Sequence, residues 1–502
     1  MVGLICILLA FILLNGLVAT RTPGVYVDEP QLVDPAANLY LGAGFTSTLW
    51  SQPRAAFWSG YVPLYPGILA LGFKVMGFGL FQTRFVNTLL VAAGACVIWL
   101  GLRRSHLVRE PLNRLLCVAL VLSGSVSTLT FRTIRPDATM FAVCTLVFFA
   151  CCLPSKFYVR YLLIGLAAAL LPASGISVAV YVGTLLGLNL LVYRFANLRL
   201  LLAVGIGMVA GVAALRLFYG HFSAWQAFIQ GMVPETSLSA NVPGGTSFVR
   251  TKILGESWGS PNMFTCFFGN PLDLESKASM FDYSAALLFA AVLLLAFTEW
   301  RPLSSDSRKF IIFVVAITLA VPPVMHLAGH YPSYYRWMTY IPLAIALPKL
   351  LEIHREAGGR AFPRRAVLAV AAFSLCLGIP LRTVAVIPSW RNRSVAPLEQ
   401  VAAQIVRPTD VVIGDFRAYF ALRPRCQLLY AYGLNSCGEF RLIPDLPTNQ
   451  ISLLCLHPED VAAVTNRIGG SWKKIPLDAI PAASTLAQTR YAEDFYRRDT
   501  RP

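Results

Sequence analysis

The sequence predicts an all-α polytopic membrane domain of about 11 transmembrane helices, followed by a small extracytoplasmic α/β domain. Three observations predict it. The 502 residues are 56% hydrophobic and only 13% charged, with a mean hydropathy of +0.61, whereas a soluble domain carries about twice that share of charge. Apolar runs near 20 residues long recur, each about enough to cross a hydrocarbon core of roughly 30 Å. Basic residues sit mostly in the short segments between those runs.

The net charge is +17, and 34 of the 42 basic residues are Arg. A basic patch gathered on one soluble face suits nucleic acid. Here the charge is dispersed between apolar runs, so it reads as a topology signal, and nucleic acid is excluded as a partner. The 11 Cys contain no Cys-x-x-Cys pair, and Cys6, Cys96, Cys117, Cys144, Cys151, Cys152 and Cys376 fall in apolar runs as small core residues. The N-terminus is apolar from Val2 and lacks a basic n-region and an A-x-A site, so it reads as an uncleaved first helix.

The first run is 1–19, and clear later runs are 84–102, 112–130, 138–153, 200–218, 284–300, 310–327, 337–351 and 366–386. Residues 159–193 are apolar apart from Arg160; as one helix they would extend about 52 Å, too long for a single crossing. Pro172 and Gly175 interrupt them, and both flanks are basic (Lys156 and Arg160, Arg194 and Arg199). Two short helices, about 160–171 and 174–193, satisfy both facts. Residues 63–81 carry Lys74 near their centre, Pro66 and several glycines, and are read as a juxtamembrane or re-entrant helix. With the N-terminus inside, the five inside loops hold 15 Lys/Arg and the short outside loops 3, the asymmetry that sets orientation.

The chain therefore divides at 386. Residues 1–386 form the membrane domain with large outer loops 20–83 and 219–283, and 387–502 the extracytoplasmic tail. In the tail, DVVIGD (410–415) and ISLLCL (451–456) read as strands, FRAYFALRP as a helix, and HPEDVAAVTNRIGG as a helix with a glycine stop. Cys426 and Cys437 are placed to pair in an oxidising compartment. Asp415, at a strand end, reads as a structural turn residue.

Charges at a membrane edge are costly and tend to be functional. On the predicted outer face stand Asp28, Glu29, Asp34, Arg54, Arg84, Arg132, Arg135, Asp137, His221, His326, His330 and Arg336. FRTIRPDA (131–138) and HYPSYYRWMTYIP (330–342) are tight turns that hold their charges at the surface. A hydroxyl nucleophile needs a carboxylate base, a lipid phosphate needs Arg forks, and a divalent metal needs carboxylate oxygens. The bland reading is interfacial anchoring, as Arg and Tyr belts are normal; it suits Arg132, Tyr334 and Tyr340 better than Asp28 or Asp137. For His221, His326 and His330 a non-ligand role is favoured.

YVDEPQLVDPAANLY (26–40), VPLYPGILALGFKVMGFGLFQTRFVNTLL (62–90), IRPDA (134–138) and YYRWMTYIPLAIALP (334–348) follow in an order that resembles the GT-C superfamily of membrane glycosyltransferases. The branch it is most similar to holds the protein O-mannosyltransferases and lipid A aminoarabinose transferases. The resemblance implies a polyprenyl-phosphate sugar donor and inverting transfer at the outer face. It makes Asp28 the base, Glu29 its assistant or a metal holder, and Asp137 the acid that orients the acceptor or a metal. Arg135, Arg336 and Tyr335 become donor phosphate ligands. A divalent metal is left open, with Glu29, Asp137 and His330 as candidate ligands. Where several relatives carry a polar pair before Pro-Leu-Tyr, this chain has Gly60-Tyr61-Val62-Pro63, and Pro172-Ala173-Ser174-Gly175 lacks a lysine that the aminoarabinose branch carries. The implied setting is a multi-pass protein of a bacterial inner membrane, in contact with membrane lipids, with site and tail facing the periplasm. The rival reading is a polytopic transporter or flippase of a lipid-linked or anionic substrate. It calls for broken or polar helices at mid-bilayer and repeated halves, and the sequence shows no such halves.

Overall fold

The computed structural model describes residues 1–499 apart from Val27, 51–52, 125–129, 155–157, 233–283, Pro302, 328–334, 359–360 and 433–445. The call on Cys437 as a disulfide partner, and most of the predicted outer loop 219–283, lie outside the described residues.

The helical part begins with α1 (Val2–Val18), α2 (Asp28–Tyr40), α3 (Leu64–Met76), α4 (Leu80–Ser105), α5 (Pro111–Ser123) and α6 (Asp137–Cys151). It continues with α7 (Tyr158–Ala169), α8 (Ile176–Tyr193), α9 (Leu198–His221), α10 (Trp225–Met232), α11 (Ser284–Thr298), α12 (Ser305–Leu327), α13 (Trp337–Glu356) and α14 (Ala361–Leu377). Each predicted apolar run overlaps one of these helices; run 366–386 breaks after Leu377 and resumes as the short helix Ile379–Val384, and residues 125–129 of run 112–130 lie outside the described residues. The ambiguous run 159–193 is split, as its composition requires, by a one-turn helix Leu171–Ser174 with Pro172 in its first turn and by Gly175.

Among the described residues, four helical stretches are long and apolar enough to cross a membrane: Leu80–Ser105, Ile176–His221, Ser305–Met325 and Phe362–Leu381. The second is α8 and α9 joined by the 3-10 turn Arg194–Asn197. Six shorter apolar helices among the described residues, including α1, α3, α5 and α6, stand beside them, and α13 packs into the same bundle. The chain is a multi-pass membrane protein. Its largest core gathers Trp99, Phe141, Tyr181, Trp337, Tyr340 and Leu347 from α4, α6, α8 and α13.

Small residues set one close approach. Gly207 and Gly211, four apart on α9, face α7 so tightly that a Cβ on Gly211 would lie 2.2 Å from the Ala169 carbonyl oxygen, and one on Gly207 2.3 Å from that of Gly165. Backbone cannot swing aside, so the helices would have to part. Gly211→Leu is expected to destabilise by about 1–3 kcal/mol and to lower the thermal midpoint of the detergent-solubilised chain. Gly205→Leu, where nothing lies within 4 Å of the added carbon, is the matched control and leaves the midpoint in place.

The tail carries α15 (Ala396–Ile405), α16 (Val461–Ile468) and a five-stranded sheet of β1 (Val411–Asp415), β2 (Leu428–Tyr432), β3 (Leu453–Leu456), β4 (Trp472–Lys474) and β5 (Asp494–Arg498). The strand order is β2-β1-β3-β5-β4, parallel across β2, β1 and β3 and antiparallel beyond. Alternation along β1 and β3 sorts side chains to two faces. Val411, Ile413, Leu454 and Leu456 pack on Val464 and Ile468 of α16. Val412, Leu453 and Cys455 point the other way, into a core that also holds Leu398 and Val401 of α15, Val33 and Ala36 of α2, and Leu69 and Phe73 of α3. The division at 386 is thus crossed by packing: one face of the tail sheet and the segment 25–86 share a core. Asp415 caps the turn after β1, its carboxylate accepting the Arg417 N–H at 2.8 Å.

Glu493, just before β5, is 2% exposed, and among the described residues neither carboxylate oxygen has a hydrogen bond and the nearest cation, Arg417 Nε, is 3.9 Å away. Burial, reinforced by Asp415 and opposed by Arg417, pushes this carboxyl from 4.5 up to about 8. The folded tail therefore holds a proton there that the unfolded chain gives up above about 4.5. Its contribution is complete below that pH and is lost as pH rises towards about 8. Buried Asp34, also raised, acts with the same sign. The thermal midpoint of the tail is expected to fall between pH 5 and pH 8, and Glu493→Gln to reduce that slope. An unchanged slope in the variant would contradict the assignment.

Candidate functional site

The site is built where α2, the turn 131–137 and the start of α13 meet. Glu29, 0% exposed, lies on the first turn of α2, and Arg84 of α4, 2% exposed, reaches it with Nε at 3.2 Å and Nη2 at 2.8 Å. Glu29 also accepts the backbone N–H of Ile134 at 2.8 Å and of Tyr26 at 2.9 Å. Arg84 turns its remaining donors to the carbonyls of Ala19, Pro23 and Gly24. Every polar atom of this buried pair is thereby met, the condition under which such a pair is tolerable. It ties α2, α4, the exit of α1 and the turn 131–137 into one rigid frame.

On that frame stands Asp28. Its side chain is 34% exposed and forms an ion pair with Arg135. Arg135 Nε also donates to Asp137 at 3.3 Å. Asp137 opens α6, is 0% exposed, and accepts the indole N–H of Trp337 at 3.1 Å. Trp337 is the first residue of α13, directly after Arg336, which is 7% exposed, and half-buried Tyr335. Residues 107 and 200 apart in sequence are so linked in the chain Asp28–Arg135–Asp137–Trp337. Of the predicted residues, Arg135 contacts both Asp28 and Asp137, Tyr335 and Arg336 directly precede Trp337 in the chain, and Glu29 lies one layer behind. Arg132 is turned away, its Nε donating to Asn15 of α1 at 2.7 Å. His330, the metal candidate, and Tyr334 lie outside the described residues, as does the side chain of His326.

Tyr61 is a further member. Burial pushes its phenol up, reinforced by Tyr335 and Asp137 and opposed by Arg135. Tyr219 of α9 fixes the Tyr61 carbonyl at 2.6 Å. Among the described residues no three His, Cys, Asp or Glu side chains come together as a metal site, and the oxygens of Glu29 are already occupied by N–H groups.

Trp337 has a second surface. Its ring lines a cavity of about 340 Å³ bounded by Phe141, Phe148, Tyr181, Leu185, Phe313 and Ile345, among others. The lining runs along α6 from Phe141 to Cys151, ten residues or about 15 Å of helix. The walls are almost wholly apolar, so the cavity suits a hydrocarbon chain.

No family model and no curated protein matches the chain. Solved structures do. ArnT from Cupriavidus metallidurans bound to undecaprenyl phosphate matches with a TM-score of 0.59 and 13% identity, over 99% of this chain and 98% of that one. The apo state of the same protein matches with a TM-score of 0.60 at 13% identity and the same coverage. The chain has the fold of this protein. The match extends through the tail, so the α/β segment belongs to the shared architecture. The archaeal oligosaccharyltransferase AglB from Archaeoglobus fulgidus, solved with an inhibitory peptide and a dolichol-phosphate, also matches, with a TM-score of 0.46, 9% identity, and 97% and 71% of the two chains covered.

Sequence reasoning missed two members of this cluster. Trp337 looked like any interfacial aromatic, and nothing near it in sequence announces Asp137. Tyr61 stood out only because it occupies the stretch where a polar pair is expected. Arg84 carried a usable signal: an Arg within an apolar helix must have a partner.

Proposed function

We propose that the chain is an inverting glycosyltransferase that moves a sugar from a polyprenyl-phosphate donor to a hydroxyl of a lipid, glycan or protein, at the outer face of the membrane. The observation that carries this reading is the partly exposed Asp28 carboxylate held by Arg135, which Asp137 anchors beside Trp337, whose ring lines a long apolar cavity. A carboxylate base, guanidinium groups and a slot for hydrocarbon are the three parts that the reaction requires.

In this reading Asp28 takes the proton of the acceptor hydroxyl as its oxygen bonds to the anomeric carbon. The bond from that carbon to the donor phosphate breaks, and the polyprenyl phosphate leaves with the electron pair. Arg135 and Arg336, with the Tyr335 hydroxyl, meet the negative charge growing on the phosphate, where preorganised donors act most strongly. Asp137 fixes Arg135 and Trp337. Glu29, sealed against Arg84, sets the backbone on which Asp28 stands. Similarity in fold to a protein solved with undecaprenyl phosphate supports the choice of donor lipid.

The test is a transfer assay in membranes containing the full chain, supplied with a panel of radiolabelled polyprenyl-phosphate sugars. The purified chain is assayed in parallel for binding of undecaprenyl phosphate by native mass spectrometry. Label leaving the donor only in the presence of the chain is the expected result. No transfer from any donor, together with no binding of the lipid phosphate, would overturn the reading.

A further inference from the structure

Helix α2 carries Asp28, yet it is poorly made as a helix. Pro35 lies inside it and has no N–H to give to the Gln31 carbonyl, so one rung of the helix is missing there. That carbonyl is met from outside by the Trp50 indole N–H at 2.7 Å. One turn on, Asp34 is 0% exposed and accepts from the Ser47 hydroxyl at 2.7 Å, the Thr48 N–H at 3.0 Å and the Tyr419 hydroxyl at 2.8 Å. Arg423 Nε lies 3.7 Å from Asp34 and 3.1 Å from Asn38, which is four residues further along the same face of α2. Asn38 in turn donates to the Thr46 carbonyl at 2.9 Å. Tyr419 and Arg423 belong to the tail, 385 residues distant in sequence from the groups they hold.

We propose that the tail positions the catalytic helix: Tyr419 and Arg423 clamp Asp34 and Asn38 and so fix Asp28 against Arg135. From Asp34 to Asp28 is six residues, about 9 Å of helix, so a slip of α2 along its axis at the clamp is passed directly to Asp28. The frame at Glu29 holds one end of α2, and the tail clamp holds the other at Asp34 and Asn38, on either side of Pro35. Tyr419 and Arg423 are positioning residues, and their catalytic meaning rests on the reading of Asp28 given above.

The test uses the full-length chain in nanodiscs and the variants Tyr419→Phe, Arg423→Leu and Arg423→Lys. Amide hydrogen exchange is read at two places: residues 32–40 of α2, and Ile134, whose N–H is bonded to Glu29 and reports on the far end of the helix. Arg423→Leu is expected to speed exchange at both by about tenfold or more, the scale of a lost hydrogen bond to a charged group, with α4 and α6 unchanged. Tyr419→Phe has a smaller effect of the same kind, and Arg423→Lys restores part of the protection. In the transfer assay, kcat falls while the KM for the donor stays in place. Faster exchange confined to 411–432, with Ile134 and α2 as in the wild type, would overturn the clamp, as would loosened α2 with unaltered kcat. Undiminished transfer by Asp28→Asn would instead remove the reading of Asp28 and leave the exchange result to decide the clamp.

Discussion

Asp28→Asn is expected to lower transfer from a polyprenyl-phosphate sugar by about 10²–10⁴-fold, the range for a positioned general base, while the purified protein keeps its thermal midpoint and its affinity for the lipid phosphate. Asn has nearly the same shape and still accepts a hydrogen bond from Arg135, but it cannot take up a proton. Asp28 is 34% exposed, so losing its charge disturbs the fold little. The drop belongs in kcat, because the base acts on the acceptor hydroxyl in the transition state and not on the bound donor. Full transfer by the variant would remove Asp28 from the chemistry.

The neighbouring acid is expected to behave in the opposite way. Glu29→Gln or Arg84→Met leaves one buried charge without its partner, at a cost of about 3–5 kcal/mol, a large fraction of the stability of an ordinary domain. Both variants should lose folded yield before any rate is measured. The two changes are expected to be far from additive, since removing the second partner removes a charge already stranded by the first. Even the double variant does not regain full stability, because Arg84 also meets three carbonyls and Glu29 two backbone N–H groups. A comparison of detergent-solubilised yield and midpoint across the four proteins measures this. A double variant as costly as the sum of the singles would contradict the pairing.

Two adjacent carboxylates thus have different tasks, and their order in the chain does not say which is which. Composition and basic asymmetry made the bundle legible, because hydrophobic run length is a direct physical requirement of a bilayer. Strands β1 and β3 were legible because short apolar runs ended at turn residues. Helix α2 was not: Pro30 and Pro35 are ordinary loop signals, and what keeps the segment helical is a distant Trp50, Arg84 and Tyr419, which no local pattern encodes. The site was half legible for the same reason. Acids and arginines announce themselves by their cost at a membrane edge, whereas Trp337 and Tyr61 are inconspicuous until the fold brings them to Asp137.

One contact has a consequence for the moment of reaction. Arg135 lies between Asp28 and Asp137, a cation shared by two anions. In the proposed reaction Asp28 ceases to be a counterion as it accepts the acceptor's proton, in the same step in which the departing phosphate gains a further negative charge. The guanidinium can pass from one anion to the other by a small rotation, and the total charge of the site stays constant. A site of this kind need not import an ion to compensate its leaving group.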